Sequence, residues 1–290
     1  MKPFIFSTDS TTDLPQDYVT AHHIPVHPLH YLIDDKEYGA ELGNDLTPEA
    51  FYQQIRGGKM PTTNATNPEY DYQLFEEAVK AGNDVLHLSF SSSMSSSYQN
   101  AVFAAEKIRK NYPEAKIIVI DTLSASGGVQ YLIETGLHMQ EEGKTMDEIA
   151  AWIKEELPHV LVHFTVPDLF HLQRGGRVKK STAILGTALK FQPLMHIADD
   201  GSLQPISKVR GRAAALRGLA KEIGELAEDG KIPESVHITH GDCADEANEL
   251  AQKIRDDYGI QNVTVNHLCP TLGAHTGIGC IVIGYRAKKR

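Results

Sequence analysis

The chain has 290 residues, 41% of them hydrophobic and 23% charged, enough to bury one large core or two modest ones. A net charge of −10 speaks against general nucleic-acid binding, and no run of about 18 or more apolar residues is present to span a membrane. The opening MKPFIFSTDSTTDL has only a short strand-like apolar run and no signal-type segment, and Cys243, Cys269 and Cys280 form no CxxC pair, which suggests a reducing, cytoplasmic setting.

In chain order, PFIFSTD reads as a short strand. TPEAFYQQIRGG reads as a helix with Thr47 as its cap, Pro48 at the first helical position and Gly57 as its stop. NPEYDYQLFEEAVKAG repeats the pattern with Asn67 and Gly82. Strand DVLHLSF, a helix from about Ser96 to Arg109, strand AKIIVID and two helices, GGVQYLIETGLHMQ and TMDEIAAWIKEEL, complete the first half. Strands spaced by helices imply a mainly parallel sheet flanked by helices on both faces. After HVLVHFTV the texture changes: PLMHIADDGSLQPISKV is a β-hairpin with an Asp-Asp-Gly-Ser turn, followed by helices and strands that suggest a smaller α/β domain with a mixed sheet. The expected class is therefore α/β with two domains, residues 1–158 and 159–290, the boundary falling near Pro158.

Ligands of open parallel sheets sit at the carboxyl ends of the strands. That rule gathers STDS, SSSMSSS and DTLSASGG at one edge, all rich in hydroxyls. Taken singly each is an ordinary helix cap; together they suggest a shared pocket able to hold an anion on hydroxyls and helix N-terminal N–H groups. In MPTTNATNP the following helix has its own cap in Asn67, so Thr62 and Thr63 are free to contact a ligand, although Pro61 can equally start a plain turn. LQRGGRV marks a tight turn presenting Arg177, and is not a phosphate-binding P-loop. LGAHTGIGC surrounds His275 with glycines in a stretch free of Asp, Glu, Lys and Arg from Tyr258 to Tyr285, which points to close backbone approach and a functional histidine. From Leu169 to Lys221 there are ten basic residues and two acidic ones, which suggests a phosphate, carboxylate or acidic-partner surface.

Two other chemistries are weaker. His23 and His27 have metal-like spacing, but Pro25 and Pro28 bar the helix that would align them, so no metal is expected. Asp9 and Asp13 with the serine loop could serve a hydrolase or phosphoryl-transfer enzyme, yet the second carboxylate comes two residues too late for an Asp-x-Asp pair and no GxSxG elbow exists.

Seven segments in order, STDSTTDLP, PTTNATNP, SSSMSSSYQNA, VIDTLSASGG, LQRGGRV, GSLQPISKVRGRAAAL and GAHTGIG, resemble the DegV family, fatty-acid-binding proteins that serve as subunits of bacterial fatty acid kinase. The resemblance covers essentially the whole chain. It implies a non-catalytic carrier without a cofactor, with the fatty acyl chain in an apolar tunnel of the C-terminal domain and the carboxylate at the domain junction. A separate kinase subunit would make the acyl phosphate, and transient contact with a membrane surface is compatible with that role. Matched residue by residue, the family's Thr-Ser-Gln-Pro loop falls on Thr62 to Ala65 and its Ser-Gly-Thr-Tyr loop on Ser95 to Tyr98. The resemblance thus implies Thr62 and Ser95 as carboxylate ligands, with Thr63 and Ser96 beside them. It places His275 and one of Arg210 or Arg212 near the head group, and Arg177 at or near the kinase-facing surface. The chain departs from the family at Asn64 (usually glutamine), Ala65 (proline), Ser96 (glycine) and Ile278 (proline). A lipid sensor or transporter without a kinase is a further reading of the same residues.

Overall fold

The computed structural model describes residues 2–39, 45–167, 169–179 and 191–290. The first half contains β1 (Phe4–Asp9), α1 (Gln16–Ala21), β2 (Val26–His27), β3 (His30–Ile33), β4 (Lys36–Tyr38), α2 (Pro48–Arg56), β5 (Thr62–Asn64), α3 (Pro68–Lys80), β6 (Asp84–Ser89), α4 (Ser97–Asn111), β7 (Ile117–Asp121), α5 (Gly127–Glu141) and α6 (Met146–Glu156). The second contains β8 (Val160–Thr165), α7 (Phe170–Arg174), β9 (Phe191–Ile197), β10 (Leu203–Arg210), α8 (Arg212–Glu225), β11 (Ser235–His240), α9 (Ala244–Tyr258), β12 (Asn262–His267), α10 (Pro270–Thr276) and β13 (Ile281–Arg286).

Helix starts follow local chemistry. Thr47 Oγ1 accepts from Ala50 N–H, Asn67 Oδ1 from Glu69 N–H, and Thr145 with Glu148 forms a reciprocal capping box at α6. Strands β2, β1, β6 and β7 form a parallel four-stranded sheet in that order. Phe6, Leu86 and Leu88 on one face pack with α5 and α6, while Val85 and Ile117 on the other pack with α3 and α4. The expected hairpin is the antiparallel pair β9 and β10, at the edge of a six-stranded mixed sheet ordered β10, β9, β8, β13, β11, β12. This second sheet is wider than the first although it lies in the shorter half of the chain. Side chains alternate across it as the period of two demands. Leu161, Ile281 and Ile283 face α8 and α9, whereas Val162, Phe164 and Val282 face back towards the first half.

The third sheet, β4, β3 and β5, is antiparallel, where the sequence suggested only a turn at Pro61. Its strand β5 has three residues, too few to show a periodicity, and exists because β3 supplies partners about thirty positions away. The two large sheets share α5. Its Val129, Leu132 and Ile133 pack with Phe4 and Phe6 of the first sheet. Its N-terminal glycines press on the second: a Cβ on Gly127 would lie 2.7 Å from the His237 carbonyl oxygen, and one on Gly284 of β13 would lie 2.3 Å from the Gly127 carbonyl carbon. The SGG of DTLSASGG is therefore a joint between the halves. All strands of the six-stranded sheet follow Pro158, and all strands of the other two precede it.

Candidate functional site

Between the cavity-facing side of the six-stranded sheet and the loops after β6 and β7 lies a narrow cavity. Its wall is mostly apolar: Val162, Phe164 and Val282 from the sheet, Phe90, Met94 and Ala125 from the first half. Both halves thus line it, rather than the C-terminal half alone.

Polar side chains enter from four segments. Thr63 Oγ1 lies 2.7 Å from His275 Nε2. Burial, with Arg177 and Arg174 nearby, holds His275 down to about 4, so the imidazole is neutral at physiological pH and shares a single proton with its surroundings. Its Nδ1 is buried without a hydrogen bond, against Gly175, where a Cβ would meet the ring. Ser95 Oγ lies 2.9 Å from Ser97 Oγ at the start of α4 and accepts the Ser97 N–H. Arg177 donates Nε and Nη2 to Met94 O at 3.0 and 2.8 Å and Nη1 to Gly175 O at 2.7 Å, which turns the guanidinium into the cavity wall. A carboxylate placed there meets hydroxyl donors and a nearby positive charge, the two things that offset its lost hydration.

The structure sorts the expected site residues. Thr63, Ser95, Arg177 and His275 line the cavity. Thr62 does not: it pairs with Leu32, is exposed and lines a shallow outer depression with Asp34 and Lys59. The reason is strand alternation, since neighbouring residues of β5 point to opposite faces and a frame one residue later, Thr63 to Thr66, turns the threonine inward. Ser96 is exposed, with φ −81°, a backbone conformation that serine adopts as readily as glycine. Arg210 is exposed at the end of β10, and Arg212 is bound to Glu246 on α9, so neither borders the cavity. The basic segment is likewise dispersed: Arg174 and Arg177 turn inward, Lys221 pairs with Glu225, and Lys180 and Lys190 lie outside the described residues.

The serine run divides its work. Ser91 Oγ and Ser93 Oγ donate to the carbonyls of Gly201 and Asp200 in the hairpin turn, tying the two halves together, while Ser95 and Ser97 serve the cavity. The glycines around His275 admit side chains rather than a ligand: a Cβ on Gly273 would meet Phe51 at 2.9 Å, and one on Gly277, at φ +73°, would meet His171 at 2.7 Å. His275 itself rides on α10, a helix the sequence pattern did not reveal. Arg174 was also missed. Its Nη2 donates to Pro61 O and Ala274 O at 3.0 and 3.1 Å, clasping the Thr63 loop to α10, and only the neighbouring GGR turn hinted at it. Ser126 and Thr271 complete the wall.

Asp9 and Asp13 are tied into two different loop systems. Asp9 Oδ1 accepts from Thr11 N–H and hydroxyl and Oδ2 from Phe90 N–H, a structural role between two loops. Asp13 Oδ1 accepts Cys269 N–H at 2.8 Å, and the residue borders a separate, wider cleft. His27 is fully buried against Asp71, whereas His23 is exposed. The three cysteines are free thiols. Among the described residues no helix is long and apolar enough to cross a membrane.

Known proteins share this architecture. The DegV family model matches residues 6–288. A DegV domain-containing protein of Clostridium perfringens is 35% identical over 283 residues, covering 98% of this chain and 97% of that one. A structure described as fatty acid binding of a DegV family protein from Thermus thermophilus superposes with a TM-score of 0.87 at 27% identity, covering 99% of this chain and 100% of that chain. A protein of Thermotoga maritima, whose structure is described as revealing fatty acid binding function, gives a TM-score of 0.84 at 26% identity, with 99% and 100% covered.

Proposed function

The chain belongs to the DegV family, and from that premise we propose that it binds one long-chain fatty acid, the carboxylate at Thr63, Ser95 and His275 and the acyl chain along the apolar cavity. The observation that carries this reading is the asymmetry of that cavity: hydroxyls, a neutral imidazole and the Arg177 guanidinium gather from four segments on a wall that is otherwise apolar. Support comes also from the relatives of Thermus thermophilus and Thermotoga maritima, whose structures are described as fatty acid binding. Each buried methylene contributes roughly 0.8 kcal/mol, so affinity comes from the tail and orientation from the head.

The finer part of the proposal is that the protein is a carrier without a cofactor of its own, which presents the carboxylate to a separate kinase. There a carboxylate oxygen attacks the terminal phosphorus of a nucleoside triphosphate and the diphosphate leaves, giving an acyl phosphate. Arg177, expected at the kinase-facing surface, also borders the head-group wall in this reading, with the exposed Lys179 and Arg210 able to meet an acidic partner.

Denaturing the purified protein and analysing the extract by mass spectrometry tests the binding reading. Close to one long-chain fatty acid per chain is expected, and recovery of only nucleotide or sugar phosphate would overturn it. Incubation of the loaded protein with ATP alone should give no acyl phosphate; its formation without a partner would overturn the carrier role.

A further inference from the structure

Behind Ser95 runs a continuous line of buried hydrogen bonds. Ser95 Oγ lies 2.9 Å from Ser97 Oγ and accepts the Ser97 N–H at 3.2 Å. Ser97 Oγ accepts the Thr66 N–H at 3.2 Å, and the Thr66 hydroxyl donates to Asp71 Oδ2 at 2.7 Å. Asp71 Oδ1 faces His27 Nδ1, also at 2.7 Å. Ser97, Thr66, Asp71 and His27 are all at most 4% exposed, so water does not compete for any of these links.

The chemistry of the inner end gives the line a direction. Burial pushes Asp71 up to about 6 and His27 down to about 3, so at neutral pH a carboxylate faces a neutral imidazole. An ionised carboxylate only accepts. His27 must therefore carry its proton on Nδ1, and the Thr66 hydroxyl is fixed as a donor. Asn100 Nδ2 holds the Thr66 carbonyl at 2.6 Å, so the residue is anchored by side chain and carbonyl together and its N–H is aimed at Ser97. Ser97 Oγ, already accepting that N–H, can give its own hydrogen to Ser95 Oγ. Ser95 then accepts both the N–H and the O–H of Ser97, which uses its two lone-pair sites and leaves its hydrogen for the cavity.

We propose that Asp71 is a positioning residue: through Thr66 and Ser97 it fixes the Ser95 hydroxyl as a hydrogen-bond donor, so the head-group site selects an ionised carboxylate over the alcohol of the same chain length. The proposal rests on the fatty-acid reading above. It also joins the two head-group loops, since Thr66 lies three residues after Thr63 and Ser97 two after Ser95. Donor hydrogen bonds to a charged acceptor are roughly twice as strong as neutral ones, which is where the discrimination arises. The Thr66 hydroxyl bond to Asp71 and its N–H bond to Ser97 hold one residue in place, so loss of the first loosens the second and is felt at Ser95.

Delipidated wild-type protein, Asp71→Ala, Ser97→Ala and the double variant would be titrated calorimetrically with dodecanoate and with dodecanol. Each single variant should weaken dodecanoate roughly ten-fold, the loss of about one hydrogen bond to a charged group, while dodecanol changes less than about two-fold. The double variant should be no weaker than either single one, because both break the same line. Equal losses for acid and alcohol, unchanged dodecanoate binding, or additive losses in the double variant would each overturn the proposal. If Asp71→Ala does not fold, Ser97→Ala decides by the same acid-to-alcohol ratio, since alanine is well tolerated in a first helical turn. A wild-type protein that binds neither ligand overturns the fatty-acid reading itself, an outcome distinct from wild-type binding of dodecanoate with unaltered selectivity in the variants.

Discussion

At its polar end the cavity is bounded by four separate segments that hold one another by hydrogen bonds, whereas its apolar wall includes one face of a six-stranded sheet. The sheet face needs no special residue: Val162, Phe164 and Val282 arrive there by alternation, and exchange among apolar side chains of similar size preserves the wall. The polar end depends on particular atoms. Thr63 meets His275, Arg177 meets Met94 O and Arg174 meets Pro61 O, each across more than eighty positions of sequence. Binding strength and head-group geometry are thus built by different means, and perturbations that act on one should leave the other measurable.

The largest effect expected comes from acid, because it acts on buried polar groups and leaves the apolar wall untouched. Burial holds His27, His87, His163, His237, His240 and His275 below the usual 6.5. Below about pH 6.5 the unfolded chain takes up protons on these rings and the folded chain does not, so stability falls with pH. Asp9 and Asp71, pushed up to about 6, and Asp13, pushed up to about 7, work in the opposite sense: the stability they contribute is present at low pH and is lost as pH rises through those values. The histidines outnumber the carboxylates. Thermal unfolding should therefore show a net loss on the order of a few kcal/mol between pH 7 and 5.5; an unchanged or raised midpoint would contradict it.

On the apolar side, Ala125→Phe should fill part of the cavity and weaken a long-chain ligand by about 3 kcal/mol, the same as shortening the ligand by four methylenes. Titration across chain lengths checks this, because the variant should lose its preference for long chains while keeping the acid-to-alcohol ratio of the wild type. At the polar end, Ser95→Ala and Thr63→Ala should each weaken binding by roughly 1 to 3 kcal/mol and do so equally for every chain length. They should also lower partner-dependent phosphorylation at saturating lipid, since a loosened carboxylate no longer lies in line with the incoming phosphoryl group. Full turnover by the saturated variants would leave both residues as binding contacts only. The smallest effect sharpens the register of β5: Thr62→Ala, one position away, should change affinity by less than about 0.5 kcal/mol.

Much of the frame was legible because it rests on local signals. The caps at Thr47 and Asn67 and the turn in ADDGS mark elements that the structure contains. The three hydroxyl loops could be gathered at one sheet edge from strand order alone. What stayed hidden depends on partners distant in sequence. Whether Thr62 or Thr63 faces inward is decided by pairing with Tyr31 and Leu32, and a three-residue strand carries no pattern from which to read it. Arg177 looks like a surface charge in a glycine turn until Met94 O, eighty-three positions earlier, draws it in. For Arg212, the family resemblance implied a head-group role, and only the structure shows Glu246 occupying it.

Because Gly127 and Gly128 pack against Gly284 with no room for a Cβ between them, the two large sheets share one closely seated helix. Under the fatty-acid reading proposed above, a lipid would pass the segments at Thr63, Ser95 and Arg177, where Arg177 on Met94 O and Arg174 on Pro61 O act as latches. A partner gripping those segments would then control release of the cargo, so loading and delivery could share one mouth and still be separated in time.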